Sequence, residues 1–235
     1  MTNLSKKSYL NYIIDSGINT FLQDSPNNFF IEDNKLIKSK NIEDISNIAE
    51  LEKYIKNSKI YISKNSQYNS YLHEGDVNSK IMIIGQSPKI ENYNIIKPIL
   101  GSEKELLSKM LAAINLNLNS IFFINAIPYF NSKNNVPQTL DILECLSFIQ
   151  KYIEIIRPKV IILLGEVAIK SILNTNKKIH DLRGEWFKYK SLNLNKDIDT
   201  IATFHPSHLL KNSNDKKKSW IDLKMIQKKI VDEIL

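Results

Sequence analysis

The sequence has a single cysteine and no long apolar run, and each shortage excludes a class of protein. One thiol, Cys145, among 235 residues excludes an internal disulfide framework and any iron–sulfur or metal site that needs several thiolates from this chain. No stretch approaches 18 consecutive apolar residues, and the first ten residues lack the apolar core of a signal peptide. We therefore expect a soluble, cytoplasmic protein with no membrane partner.

Two phosphate-binding motifs are also missing. The chain contains neither G-x-x-x-x-G-K-[ST] nor G-x-G-x-x-G, which disfavours nucleoside triphosphates as ligands. The formal charge of +7 and the pI near 9.2 favour a polyanion such as nucleic acid, although the abundance of Lys, Ile and Asn is also compatible with a compositional bias of the source genome. A hydrophobic content of 43% predicts a folded chain with one main core.

Short apolar runs alternate with helical patterns after residue 60. The runs lie at residues 80 to 85, 120 to 125, 159 to 165 and 199 to 205, and helix-like stretches lie around 102 to 116, 139 to 156, 166 to 174 and 220 to 235. This alternation predicts an α/β fold, a three-layer sandwich in which helices flank a central, mainly parallel four-stranded sheet. Residues 1 to 60 have helical periodicity and predict an N-terminal helical extension to a domain over 61 to 235.

Ligands of parallel sheets bind at the carboxyl ends of the strands, which directs attention to the residues after each run. The loop after Gly85 contains Gln86, Ser87 and Pro88. Its backbone N–H groups either contact a ligand or form a plain turn. Asn125 carries donors and an acceptor in one plane, as recognition of a nucleobase edge requires, or it pins a loop. His205 either donates a hydrogen bond to developing negative charge or ties two loops together.

The segment after His205 combines small polar groups, two leucines and lysines. Ser207, His208, Leu209, Leu210 and Lys211 are followed by three further lysines. Polar contacts to phosphate beside an apolar wedge are typical of proteins that flip a nucleotide out of the stack. A helix start followed by a solvated lysine run is the alternative interpretation.

Taken together and in this order, these motifs resemble those of the uracil-DNA glycosylase superfamily, most closely its family 4. The resemblance covers about residues 72 to 225 and rests on the segments GQSPK (85 to 89), PILG (98 to 101), LLSKML (106 to 111), FIN (123 to 125), PKVIILLG (158 to 165), RGEW (183 to 186), HPSHLL (205 to 210) and WIDL (220 to 223). It implies a DNA repair enzyme that flips uracil out of DNA and hydrolyses its N-glycosidic bond.

The chain departs from the family pattern at three positions and in its cysteines. Gln86 replaces the glutamate of the family 4 first motif, and a carboxylate farther along that loop falls on Asn92. Ile99 occupies the place of the phenylalanine that stacks on uracil, which removes a contribution of about 1–3 kcal/mol per base. The iron–sulfur cluster of many family 4 members requires four cysteines. Cys145 matches one of these positions and another falls on Tyr129, so we expect no cofactor and no metal.

The resemblance assigns roles to the candidate residues. His205, Gln86 and Asn125 are predicted to be catalytic, with Ser87, Pro88, Asn92 and Ile99 joining Asn125 in binding the base. Ser207, His208, Leu209, Leu210 and Lys211 are predicted to contact DNA, single- or double-stranded. The protein is expected to act as a monomer. Three alternatives stay open: a catalytically weak or inactive glycosylase-fold protein that binds DNA, a glycosylase for another base, and an enzyme that hydrolyses RNA or nucleotides.

Overall fold

The computed structural model describes residues 41–65, 68–91, 95–130, 137–175, 177–191 and 193–233. Its helices are α1 (Ile48–Lys56), α2 (Lys59–Asn65), α3 (Gly101–Ala112), α4 (Thr139–Ile156), α5 (Glu166–Leu173), α6 (Ile179–Leu182), α7 (Pro206–Lys211) and α8 (Lys216–Glu233). Its strands are β1 (Asn69–Ser70), β2 (His73–Glu74), β3 (Ile81–Gly85), β4 (Lys89–Glu91), β5 (Ile95–Lys97), β6 (Phe122–Asn125), β7 (Val160–Leu164), β8 (Trp186–Tyr189) and β9 (Ile198–Thr203). Short 3₁₀ helices span Ile42–Asp44, Leu118–Ser120 and Ser213–Asp215.

Six strands form the main sheet, in the order β2-β6-β3-β7-β9-β8. The four central strands are parallel, and β2 and β8 pair antiparallel at the two edges. Every residue of the central strands is buried, which explains their near-continuous apolar sequences. The predicted parallel four-stranded sheet is therefore confirmed, and the edge strands extend it to six.

Helices cover the sheet in two groups. Helix α4 contacts both α1 and α5, and α3 packs against α7 and α8. Helix α4 ends where Arg157 adopts a left-handed φ of 50° ahead of Pro158, a residue that cannot continue a helix. Among the described residues, no helix is long and apolar enough to cross a membrane.

The N-terminal part of the described chain joins the same core. Leu51 and Ile55 of α1 are fully buried in the main hydrophobic cluster. Most of the predicted extension over residues 1 to 60 lies outside the described residues, and its boundary at residue 60 stays a prediction.

A small second sheet, in the order β1-β5-β4, carries the chain from the first motif to the start of α3. Strands β4 and β5 are antiparallel, and β5 leads directly into Pro98 and Ile99. Asn92, a predicted site residue, falls between β4 and β5 and lies outside the described residues.

A buried ion pair fastens α8 and the segment after α6 to the end of β9. The Asp222 carboxylate is fully buried and accepts hydrogen bonds from the Arg183 guanidinium and, at 2.7 Å, from the Thr203 hydroxyl. Arg183 also donates to the backbone carbonyl of Lys218 at 2.5 Å. Because Thr203 is the last residue of β9, this network supports the backbone that leads into His205.

Asp222→Ala is expected to lower the free energy of unfolding by about 3–5 kcal/mol, because it leaves a partly buried guanidinium and a buried hydroxyl without their partner. Lys218→Met is the control, since it breaks the exposed pair of Lys218 with Asp215 and is expected to cost at most about 1 kcal/mol. Urea unfolding monitored by circular dichroism measures both. Equal midpoints for the two variants would contradict a supporting role for Asp222.

Candidate active site

Gln86, Asn125 and His205 lie at one rim of the sheet, because the strands that lead to them are parallel and end there together. Gly85 pairs with Asn125 across β3 and β6, and Leu164 pairs with Thr203 across β7 and β9. Backbone bonds continue past the strands: Ile127 N–H donates to Gln86 O at 2.9 Å, and Gly165 N–H donates to Thr203 O at 3.0 Å. The rim is therefore held in register beyond the last strand residues.

Two glycines allow the side chains of the rim to approach one another. A Cβ at Gly85 would lie 2.4 Å from Asn125 Oδ1, and a Cβ at Gly165 would lie 2.8 Å from Gln86 Nε2 and 3.1 Å from His205 Cβ. Gly165 also has a φ of 86°, which side chains rarely permit. The absence of a side chain at Gly165 lets Gln86 and His205 approach each other, and the absence of one at Gly85 makes room for Asn125 on the same rim.

Asn125 is fixed by one hydrogen bond and keeps further polar capacity. The residue is 7% exposed, and its Nδ2 donates to Pro98 O at 2.8 Å. A primary amide has a second N–H and an acceptor oxygen, which is the pattern that matches the edge of a pyrimidine. The residue after Pro98 is Ile99, which is 2% exposed.

His205 is the N-cap of α7, and the helix selects its tautomer. The backbone N–H of Ser207 donates to His205 Nδ1 at 3.1 Å, with the Ser207 hydroxyl 2.8 Å from the same nitrogen. A backbone N–H is only a donor, so Nδ1 is the acceptor and carries no proton. The neutral ring therefore has its proton on Nε2, where it is free to donate to a ligand.

Burial keeps this imidazole neutral. The pKa of His205 is lowered to about 4, first by burial of the residue, which is 8% exposed, and second by the positive charge of Lys89. Lys89 is itself paired with the buried carboxylate of Glu103. At neutral pH the site therefore presents a neutral N–H donor rather than an imidazolium cation.

The loop after β3 adds backbone and amide groups to the rim. Gln86 and Ser87 are half-buried, and Pro88 is buried. Lys89 is not among the predicted site residues, although it completes the GQSPK segment, and the sequence marks Gly165 only as the end of an apolar run. The signal for Gly165 is the same as for Gly85: a glycine at the end of a continuous apolar run.

The segment after His205 differs from the prediction in one respect. Leu209 and Leu210 are both predicted to contact DNA, but Leu209 is 1% exposed, and of the two only Leu210, at 43%, reaches solvent. The prediction for Leu209 is wrong because α7 packs on α3 and turns that residue into the core. Ser207 and His208 are half-buried and Lys211 is exposed, while His208 bonds Asp215 at 2.7 Å.

The residues at the cysteine positions do not fit an iron–sulfur cluster. Cys145 is fully buried, and burial raises its pKa to about 12, which keeps it a thiol rather than a thiolate ligand. Tyr129, at a second cysteine position, is also fully buried, and its hydroxyl donates to Asp141 at 2.6 Å. One thiol and one hydrogen-bonded phenol are not a donor set for such a cluster.

Comparisons with known proteins agree with this geometry. The family model for the uracil DNA glycosylase superfamily matches residues 72–224, more than half of the chain. Over 151 residues the chain is 28% identical to a type-4 uracil-DNA glycosylase of Thermotoga maritima, covering 63% of this chain and 74% of that protein. Over 161 residues it is 29% identical to one of Sulfurisphaera tokodaii, covering 66% and 71% respectively. Over 156 residues it is 25% identical to one of Archaeoglobus fulgidus, covering 65% and 77% respectively.

We expect His205 to stay neutral with its proton on Nε2 at every pH above about 5, because its pKa is lowered to about 4. Lys89→Met should raise the pKa of His205, by removing a nearby positive charge, but leave it below 6.5 because burial remains. Nitrogen-detected histidine NMR across a pH titration measures the tautomer and the pKa. A proton on Nδ1, or a pKa at or above 6.5 in the wild type, would contradict the assignment.

Proposed function

Because this chain belongs to the uracil-DNA glycosylase superfamily, we propose that it removes uracil from DNA by hydrolysing the N-glycosidic bond of a flipped nucleotide. The observation that carries the proposal is the neutral Nε2–H donor of His205 on the same rim as Asn125. The similarity to type-4 uracil-DNA glycosylases, at 25% to 29% identity over the aligned residues, supports the same substrate class.

In the proposed reaction the bond between the sugar and the base breaks before water attacks. The electron pair of the C1′–N1 bond leaves with uracil, so negative charge develops on the base and positive charge on the sugar. His205 Nε2–H donates to the uracil O2 as this charge builds, which is the point at which a preorganised donor lowers the barrier. Water then adds to C1′ and gives up a proton, and the products are free uracil and an abasic site.

The other rim residues orient the base and the water. Asn125 uses its remaining amide N–H and its oxygen to read the pyrimidine edge. In this proposal Ile99, the residue after Pro98, forms an aliphatic wall of the pocket. The loop from Gln86 to Pro88 offers a side-chain amide and backbone groups to the base or the water. Polar groups that are held in fixed positions favour one orientation of the flipped base.

The segment after His205 would hold the DNA. Ser207 contacts a phosphate through its hydroxyl, and the exposed Leu210 fills the gap left by the flipped nucleotide. Lys211 and the exposed Lys216 and Lys217 neutralise neighbouring phosphates. The protein acts in this proposal as a cytoplasmic monomer, and the chemistry draws on no cofactor.

His205→Ala is expected to slow uracil excision by about a hundred- to a thousandfold, because the mutation removes the donor to the departing base. DNA affinity should stay nearly unchanged, since that bond strengthens only as uracil leaves. Single-turnover excision from uracil-containing single- and double-stranded oligonucleotides, followed by cleavage at abasic sites, measures the rate. His73→Gln is the control, because the His73 ring bonds Glu52 and stacks on Phe122 and is not among the groups proposed to touch the base.

The same assay separates the alternatives. Wild-type protein that binds DNA but releases no deaminated base, with an equally inert Ile99→Phe variant, would identify a DNA-binding protein on the glycosylase fold. Release of another deaminated base but not uracil would identify a glycosylase of shifted specificity. An His205→Ala variant as fast as the wild type would overturn the role of His205 directly.

The double variant Lys216→Ala, Lys217→Ala is expected to weaken the binding of duplex DNA. It should also lower the slope of log affinity against log salt by up to about 1.8, because each phosphate that is no longer neutralised removes about 0.9. The matched control is Lys224→Ala with Lys228→Ala, which removes the same charge from exposed positions farther along α8. Fluorescence anisotropy at salt concentrations from about 50 to about 200 mM measures both. Identical slopes for the two double variants would show that the lysine run is only a solvated face.

A further inference from the structure

Three metal-ligating side chains meet outside the active-site rim. They are His180 of α6, His208 of α7 and Asp215 of the following 3₁₀ helix, and their ligand atoms all lie within 4.8 Å of one another. No other group of three such side chains occurs in the part of the chain that the structure describes. Two of the four histidines of the sequence are in this group.

Neighbouring side chains hold the three groups in place. His208 Nε2 lies 2.7 Å from Asp215 Oδ2, and its ring stacks on Phe204 with the centroids 4.6 Å apart and the planes 14° apart. His180 contacts the same phenylalanine edge-on, at 5.0 Å. Phe204 is therefore the surface on which both imidazoles are arranged.

The carboxylate is oriented by a second bond. Lys218 Nζ donates to Asp215 Oδ1 at 2.8 Å, which leaves Oδ2 directed at His208. Carboxylates that bind metals in proteins are usually hydrogen-bonded through the oxygen that does not contact the metal. That bond fixes the position of the oxygen that does.

We propose that His180, His208 and Asp215 form a binding site for a first-row transition-metal dication of the Zn²⁺ type. Two imidazoles and one carboxylate are a donor set that suits zinc, whereas magnesium prefers oxygen ligands and water. Three protein ligands leave a fourth tetrahedral position for water. The metal ion takes the place of the proton in the bond between His208 and Asp215.

The geometry requires a modest contraction. Ligands at about 2.0–2.1 Å from a tetrahedral zinc are about 3.3 Å apart, so the widest separation here, up to 4.8 Å, must shorten by about 1.5 Å. His180 is exposed and lies on a helix of four residues, so it is the side chain with room to turn. His208 and Asp215 need only separate slightly from their present contact.

A metal ion at this site would connect α6 with the segment that follows β9. Phe204, on which both imidazoles rest, immediately precedes His205, and His208 lies about one helical turn after it. The inference does not depend on the proposed glycosylase activity, because it concerns side chains that the proposed reaction does not use to touch uracil.

The test uses full-length protein without a polyhistidine tag, stripped with a chelator and dialysed free of it. Isothermal titration with Zn²⁺ is expected to show one site, and titration with Mg²⁺ none. Co²⁺ should give the visible absorption of a four-coordinate ion with nitrogen and oxygen ligands. His180→Ala and Asp215→Asn should each weaken Zn²⁺ binding by at least about ten- to a hundredfold, the effect typical even of removing an outer partner of a metal ligand.

His73→Gln is the matched control. It also removes a histidine, but one that bonds Glu52 and is distant in sequence from His180, His208 and Asp215. Circular dichroism of each metal-free variant establishes that it is folded. Wild-type protein without a Zn²⁺ site would overturn the proposal. The proposal would also be overturned if the His180→Ala and Asp215→Asn variants bound Zn²⁺ as tightly as the wild type. It would equally be overturned if His73→Gln weakened Zn²⁺ binding as much as those two variants do.

Discussion

The register of four parallel strands is the constraint on which the site depends. Backbone hydrogen bonds continue past the strand ends, from Ile127 to Gln86 and from Gly165 to Thr203, so the residues after the strands are positioned by the sheet itself. Gly85 and Gly165 then leave the space that Asn125, Gln86 and His205 occupy. A loop that rested on side-chain contacts alone would hold the Asn125 amide and the His205 imidazole less rigidly in relation to each other.

Polar groups buried beneath this rim divide into structural and functional sets. Asp222, Arg183 and Thr203 satisfy one another and anchor the end of β9. His205 and Asn125 are also buried, yet each uses only part of its hydrogen-bonding capacity within the described residues. Buried polar capacity that is held in place but not fully used is the physical mark of a binding site, because leaving it unused carries a cost in stability.

Sequence patterns predict the parts of the structure that depend on local regularity. The four buried strands are located to within about two residues because each is a continuous apolar run, and Asn125 and His205 follow from their places at the ends of runs. The edge strands escape prediction, since β2 has two residues and β8 mixes aromatic residues with lysine.

Side-chain partners that are distant in the chain carry no local signal. The burial of Leu209 rather than Leu210 is decided by the packing of α7 on α3, which no local pattern contains. The same applies to Arg183 with Asp222 and to His180 with His208, because the fold brings each pair together from distant parts of the chain.

In the reaction proposed above, the amide of Ser207 also decides which bases the His205 imidazole can assist. With Nδ1 held by that amide and the pKa of the ring near 4, His205 gives a hydrogen bond but has no second proton to deliver. Pyrimidines such as uracil leave readily as anions, and a neutral donor is matched to them. Purines leave most readily after protonation on the ring, a step that calls for a general acid with a pKa nearer neutrality. The first turn of α7 therefore selects, through a tautomer, for leaving-group acidity rather than for size or shape.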